Sequence, residues 1–102
     1  MKRIAVLLAF MFISADSVAF FGPDCDSASD CMTKAENLSN QNRLADAIDF
    51  YREACDEYRN KNGCYQAGIH YQFGLGKRNK AKNYYVKACR YGYVPACHLK
   101  EI

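Results

Sequence analysis

No two cysteines in this chain are spaced C-x-x-C, and His70 and His98 are the only histidines. The first absence removes the spacing of a thioredoxin-type couple, a zinc knuckle and a c-type haem attachment. Cys97 and His98 are adjacent, but Val94 stands where a haem motif needs its first cysteine. Two imidazoles are too few for a histidine-ligated metal cluster, and no Ser, Asp or Glu stands at a spacing that completes a triad with either ring. The motifs S-x-x-K, S-D-N and K-T-G of penicillin-recognising serine enzymes are missing too. No metal, cofactor or catalytic residue is therefore assigned, and the enzyme question leans to no. The basic residues fall in no nucleic-acid reading motif, which argues against a nucleic-acid partner.

Long apolar runs are also scarce. The longest, from Ile4 to Ile13, is about half of a membrane span. It follows Lys2 and Arg3 and leads to Ser17-Val18-Ala19, small at both positions that a signal peptidase reads. Residues 1–19 thus read as a secretory signal peptide cleaved after Ala19, which places the mature chain in the periplasm or outside the cell. Gly22, Pro23 and Asp24 precede Cys25, so the segment is not a lipid-attachment site, and no stable membrane anchor is expected after cleavage.

Cleavage leaves 83 of the 102 residues (102 − 19) and all six cysteines. A core of that size needs reinforcement, and an even cysteine count in a short exported chain is the mark of a disulfide framework. Composition leaves the fifteen possible pairings open. A repeat narrows them. "DAIDFYREAC" (46–55) aligns with "KAKNYYVKAC" (80–89) at an offset of 34, and Cys31, Cys64 and Cys97 recur at 33 and 33. That period is the one of stacked helical hairpins.

Ala47, Phe50, Tyr51 and Ala54 follow the i, i+3, i+4, i+7 spacing of one helix face, and Ala81, Tyr84, Tyr85 and Ala88 repeat it. Helices are expected over 27–38, 41–58, 62–73, 78–91 and 94–101, with Gly92 in a left-handed helix end and Pro95 in a first turn. Cys89 ends one such helix and Cys97 begins the next, so the two face each other across a tight turn. Cys55 and Cys64 occupy the same places one repeat earlier, which leaves Cys25 for Cys31.

The run "AGIHYQFGLGKRNKAKNYYVKACRYGYVPAC" (67–97) resembles the Sel-like repeat, a relative of the tetratricopeptide repeat. The pattern is carried by Gly68, Tyr71, Gly74, Gly76, Lys80, Ala81, Tyr84, Tyr85, Lys87, Ala88, Cys89, Gly92 and Ala96, with a loop after Gly76 that is shorter than the family's. Cysteines at the two facing positions resemble its exported bacterial cysteine-rich subgroup, in which each hairpin carries a disulfide. The resemblance implies an all-α fold, a short α/α solenoid of about two and a half antiparallel hairpins. Its parts would be a truncated capping half repeat (20–42), a first repeat (43–76) and a C-terminal repeat (77–102). It implies a binding module for a protein or peptide. Labels within the family suggest a cell-wall or β-lactam-related binder or hydrolase as one alternative, and a redox or metalloprotein assembly factor is another.

Charge placement suggests where binding would occur. Residues 20–57 hold nine Asp or Glu (24, 26, 30, 36, 46, 49, 53, 56, 57) against three Lys or Arg; residues 58–102 hold nine Lys or Arg (59, 61, 77, 78, 80, 82, 87, 90, 100) against Glu101. In a stack of hairpins these two sets should be physically separate, giving a basic end for an acidic partner and permitting head-to-tail self-association. The candidate partner-binding residues are Lys77, Arg78, Lys80, Lys82, Lys87, Arg90, Tyr91 and Tyr93. Tyr51, Tyr71, Tyr84 and Tyr85, at repeat positions, are expected in the core.

Overall fold

The computed structural model describes residues 24–102 and is all-helical, with no strand among the described residues. The leader expected at 1–19 lies outside them. Four α-helices follow in order: α1 (Ala28–Asn40), α2 (Leu44–Asp56), α3 (Lys61–Ile69) and α4 (Arg78–Arg90). A π-helical turn, His70–Gly74, extends α3, and a 3-10 helix, Val94–Glu101, follows α4. Each helix packs chiefly on its neighbours in sequence: α1 on α2, α2 on α3, α3 on α4, and α4 on the 3-10 helix.

The starts of α1 and α3 follow from local chemistry. Ser27 caps α1 by accepting the amide of Asp30 at 3.1 Å, while the Asp30 carboxylate accepts the amide of Asp26 at 2.9 Å. Asn60 caps α3 by accepting the amide of Gly63 at 2.7 Å. No side chain caps α2 or α4. At the other end of α4, Gly92 stands at φ 106°; its amide reaches the Cys89 carbonyl and that of Tyr93 reaches Ala88. This paired closure requires the left-handed residue that glycine supplies without strain. Asn42 closes α1 the same way at φ 63°, with Asn42 bonded to Ser39 and Arg43 to Leu38.

The core is built chiefly from small residues and tyrosines, joined by Ile48 of α2. Ala47, Tyr51, Ala54 and Cys55 of α2 are buried, as are Ala81, Tyr85 and Ala88 of α4 at the equivalent repeat positions. Alanine lets the helices approach, and a tyrosine fills the space beside it. The closest approach is at Gly68 of α3, where a β-carbon would lie 2.5 Å from the Tyr85 ring. Tyr85 is fully covered and donates its hydroxyl to Gln72 Oε1 at 2.7 Å. Burial pushes its phenol up to about 12, with a smaller contribution from Tyr65. Tyr51, Tyr71 and Tyr84 are buried as well.

All six cysteines are bridged: Cys25 to Cys31, Cys55 to Cys64, and Cys89 to Cys97, with Cα separations of 5.2, 4.6 and 4.8 Å. The first ties the entry segment to α1, the second joins α2 to α3, and the third joins α4 to the 3-10 helix. Three bridges in so short a chain suit an oxidising compartment outside the cytosol. Among the described residues no helix is long and apolar enough to cross a membrane.

Two segments depart from the helices expected at 62–73 and 94–101. The first ends as a π turn, because the amide of Leu75 reaches back five residues to the His70 carbonyl. The last is 3-10 rather than α-helical. Pro95 contributes no amide there, and the Cys89–Cys97 bridge draws the segment back on α4.

Candidate functional site

Helices α2 and α4 both pack on α3, their side chains meet, and an open groove of about 450 Å³ lies where they do. Arg52 lines it from α2 and Tyr71 from the π turn. Lys80, Asn83, Tyr84, Lys87 and Arg90 line it from α4, at the i, i+3, i+4, i+7 and i+10 positions of one helical face.

A polar chain crosses the groove. Arg52 Nε donates to the Tyr84 hydroxyl at 3.3 Å, that hydroxyl donates to Asp56 Oδ2 at 3.0 Å, and Lys87 Nζ donates to Asp56 Oδ1 at 2.8 Å. The Lys87 ammonium also lies 4.8 Å from the centre of the Tyr84 ring. Its hydrogen bond to Asp56 raises Lys87 above the ordinary lysine value, and the contact with Tyr84 raises Arg52. Burial raises Tyr84, with Asp56 adding to the effect and Arg52 opposing it. Tyr71 and Tyr84 stack at 5.7 Å to form an aromatic floor, and Lys80 Nζ stands 5.6 Å from the Tyr71 ring centre.

This geometry departs at one point from the expected separation of acidic and basic residues. Asp56, from the acidic stretch, is paired with Lys87, from the basic one, because side chains of α2 and α4, both packed on α3, reach each other across the groove. Lys87 is thus partly neutralised within the molecule. Among the described residues Lys77, Arg78, Lys80, Lys82 and Arg90 have no acidic side chain within salt-bridge distance. Tyr91 and Tyr93 are both half-buried against the core, with Tyr93 on Tyr65 at 4.6 Å between ring centres.

Two participants have no signal in the sequence. Arg52 enters the groove from the acidic stretch, 32 residues from Tyr84 in sequence. The fold also brings Ser39 to His70, which local spacing does not suggest. Ser39 Oγ lies 3.1 Å from His70 Nε2, and His70 Nδ1 lies 2.9 Å from the Gln66 carbonyl. That carbonyl can only accept, so Nδ1 carries the proton and Nε2 receives the Ser39 hydroxyl. Ser39 sits in the last turn of α1, where carbonyl rather than amide groups are free, an unsuitable place for stabilising an oxyanion. With the Tyr51 ring 4.9 Å from His70, the pair clamps α1 and α2 to α3. Among the described residues no three His, Cys, Asp or Glu converge as a metal site.

No family model, no curated protein and no solved structure matches this chain. Functional inference rests on the groove and its charges.

Proposed function

We propose that this chain is an exported, disulfide-stapled helical-repeat module of the Sel-like kind that binds an acidic protein or peptide partner through its basic C-terminal hairpin. The observation that carries this reading is the uncompensated charge of α4. Lys77, Arg78, Lys80, Lys82 and Arg90 have no internal acidic partner among the described residues. The first turn of α4 holds no acidic residue either, so its cations stand where the helix dipole is itself positive. Such an arrangement costs the folded chain some stability, and local choices that oppose the fold are characteristic of binding sites. The equivalent burial of Ala47 and Ala81, Tyr51 and Tyr85, and Ala54 and Ala88 supports the repeat. The three bridges support export.

Immobilised protein with its bridges intact, challenged with the exported proteins of the same cell, tests the reading. A specific partner should be retained at low salt, released at high salt, and lost on the combined changes Lys77→Gln, Arg78→Gln, Lys80→Gln and Lys82→Gln. Retention that is indifferent to both salt and the four changes would refute it.

A further inference from the structure

The cations of the C-terminal hairpin do not all face the same surroundings, and the difference locates the site more narrowly than net charge does. Lys77 and Arg78 stand at the start of α4, outside the groove, whereas Lys80, Lys87 and Arg90 line it and face Arg52 across the seam with α2. Asp56 occupies Lys87, leaving Lys80 at one end of the groove and Arg90 at the other without an acidic partner among the described residues. Arg52 has only a loose, exposed contact with Asp49 at 3.7 Å and a neutral hydroxyl, that of Tyr84, on its Nε. Its forked guanidinium is therefore available to a carboxylate.

We infer that the groove between α2 and α4 is a binding site for an extended acidic peptide segment, its carboxylates shared among Lys80, Arg52 and Arg90. This assignment rests on the proposed partner-binding function and names its site and ligand chemistry. Length argues for a peptide over a single small anion. Lys80 and Arg90 are ten residues apart on one helix, about 15 Å along its axis. An extended chain covers that distance in about five residues. The Asp56–Lys87 pair in the middle divides the positive field into two ends, which favours a ligand with charges spread along its length.

The test is fluorescence anisotropy with a labelled penta-glutamate peptide and the disulfide-bonded protein. Wild type should bind it at low salt and ignore a penta-glutamine peptide. Arg90→Gln and Arg52→Gln should each weaken binding about tenfold, the loss of one charge-assisted contact, whereas the double change Lys77→Gln and Arg78→Gln should weaken it only about twofold. Arg90 has no internal charge partner, so its variant should keep the wild-type melting temperature and separate binding from folding. Equal losses from the groove and the helix-start variants would overturn the site, since a diffuse basic field would then suffice. A sulfated oligosaccharide that binds where penta-glutamate does not would overturn the ligand class. If the four-residue variant loses a cellular partner while Arg52→Gln and Arg90→Gln leave peptide and partner binding intact, the groove falls and the broader partner-binding function stands.

Discussion

Helices α2 and α4 are two versions of one object. Inwardly they match: Ala47 with Ala81, Tyr51 with Tyr85, Ala54 with Ala88, and Cys55 with Cys89, each cysteine bridged to the element that follows. Outwardly they are opposites. Asp46, Asp49, Glu53 and Asp56 mark α2, whereas Arg78, Lys80, Lys82, Lys87 and Arg90 mark α4. Close packing restrains the buried face, because an alanine against a neighbouring helix leaves no room for anything larger. Nothing of that kind restrains the outer face. Its divergence is where function can be written without disturbing the scaffold, and the two outer faces meet in the groove.

If the inner faces are equivalent, deleting equivalent tyrosines should cost alike. Tyr85→Ala and Tyr51→Ala should each destabilise by about 3–5 kcal/mol, the range for truncating a buried aromatic, measured by urea unfolding. Phe50→Ala, at a half-buried position, should cost clearly less than either. A large difference between Tyr51 and Tyr85 would break the equivalence and mark Gly68, the seat of the Tyr85 ring, as its source.

The bridges make the next comparison. Replacing Cys55 and Cys64 together with alanine, or Cys89 and Cys97 together, should cost about 2–3 kcal/mol in each case, because the sequence separations of 9 and 8 close nearly equal loops. A much larger loss at Cys55–Cys64 would show that this bridge, wholly inside the core, also supports the packing of α2 on α3.

Alkali should act more on α4 than on α2. Tyr85 and Lys87 both have folded values above their unfolded ones, so the folded chain holds protons that the unfolded chain releases. Their contribution is whole below the unfolded values near 10 and is lost as pH rises through the folded ones, for Tyr85 about 12. Stability followed by helical circular dichroism should therefore be level through neutral pH and fall between pH 10 and 12. Tyr85→Phe should flatten part of that fall. A chain that loses stability equally between pH 7 and 9 would contradict the assignment.

The smallest effect is expected where the outer faces touch. Asp56→Asn leaves the hydrogen-bonding shape but removes the charge beside Lys87, and an ion pair this exposed is worth about 0.5 kcal/mol. In exchange Lys87 joins the free cations of the groove, so binding of an acidic peptide should tighten. Weaker binding in this variant would mean that Asp56 positions Lys87 and Tyr84 rather than masking them.

Much of this architecture is legible in one dimension because its causes are local or periodic. The alternation of alanine and aromatic residues at i, i+3, i+4 and i+7 places the buried faces of α2 and α4. Gly92 and Pro95 mark a helix end and a restart from the backbone conformations they favour, and Gly92 takes the left-handed geometry expected of it. The π turn at His70–Gly74 has no such mark. It follows from how the end of α3 must turn to seat Tyr71 against Tyr84 and return the chain to α4 through Lys77, whose amide bonds to the Tyr71 carbonyl at 2.7 Å.

The candidate site divides along the same line. Charge segregation and the basic character of 77–90 can be counted from the chain alone, and so can its small-residue and tyrosine faces and its even set of cysteines. Which cations remain unpaired cannot be counted that way. Lys87 meets Asp56 across 31 residues, Arg52 meets Tyr84 across 32, and Ser39 meets His70 across 31. Those separations are far beyond the reach of local structure, so each pairing exists only because the fold brings the two segments together. Periodicity says which face of a helix is buried; packing alone decides which charges on the other face find a partner and which stay available to a ligand.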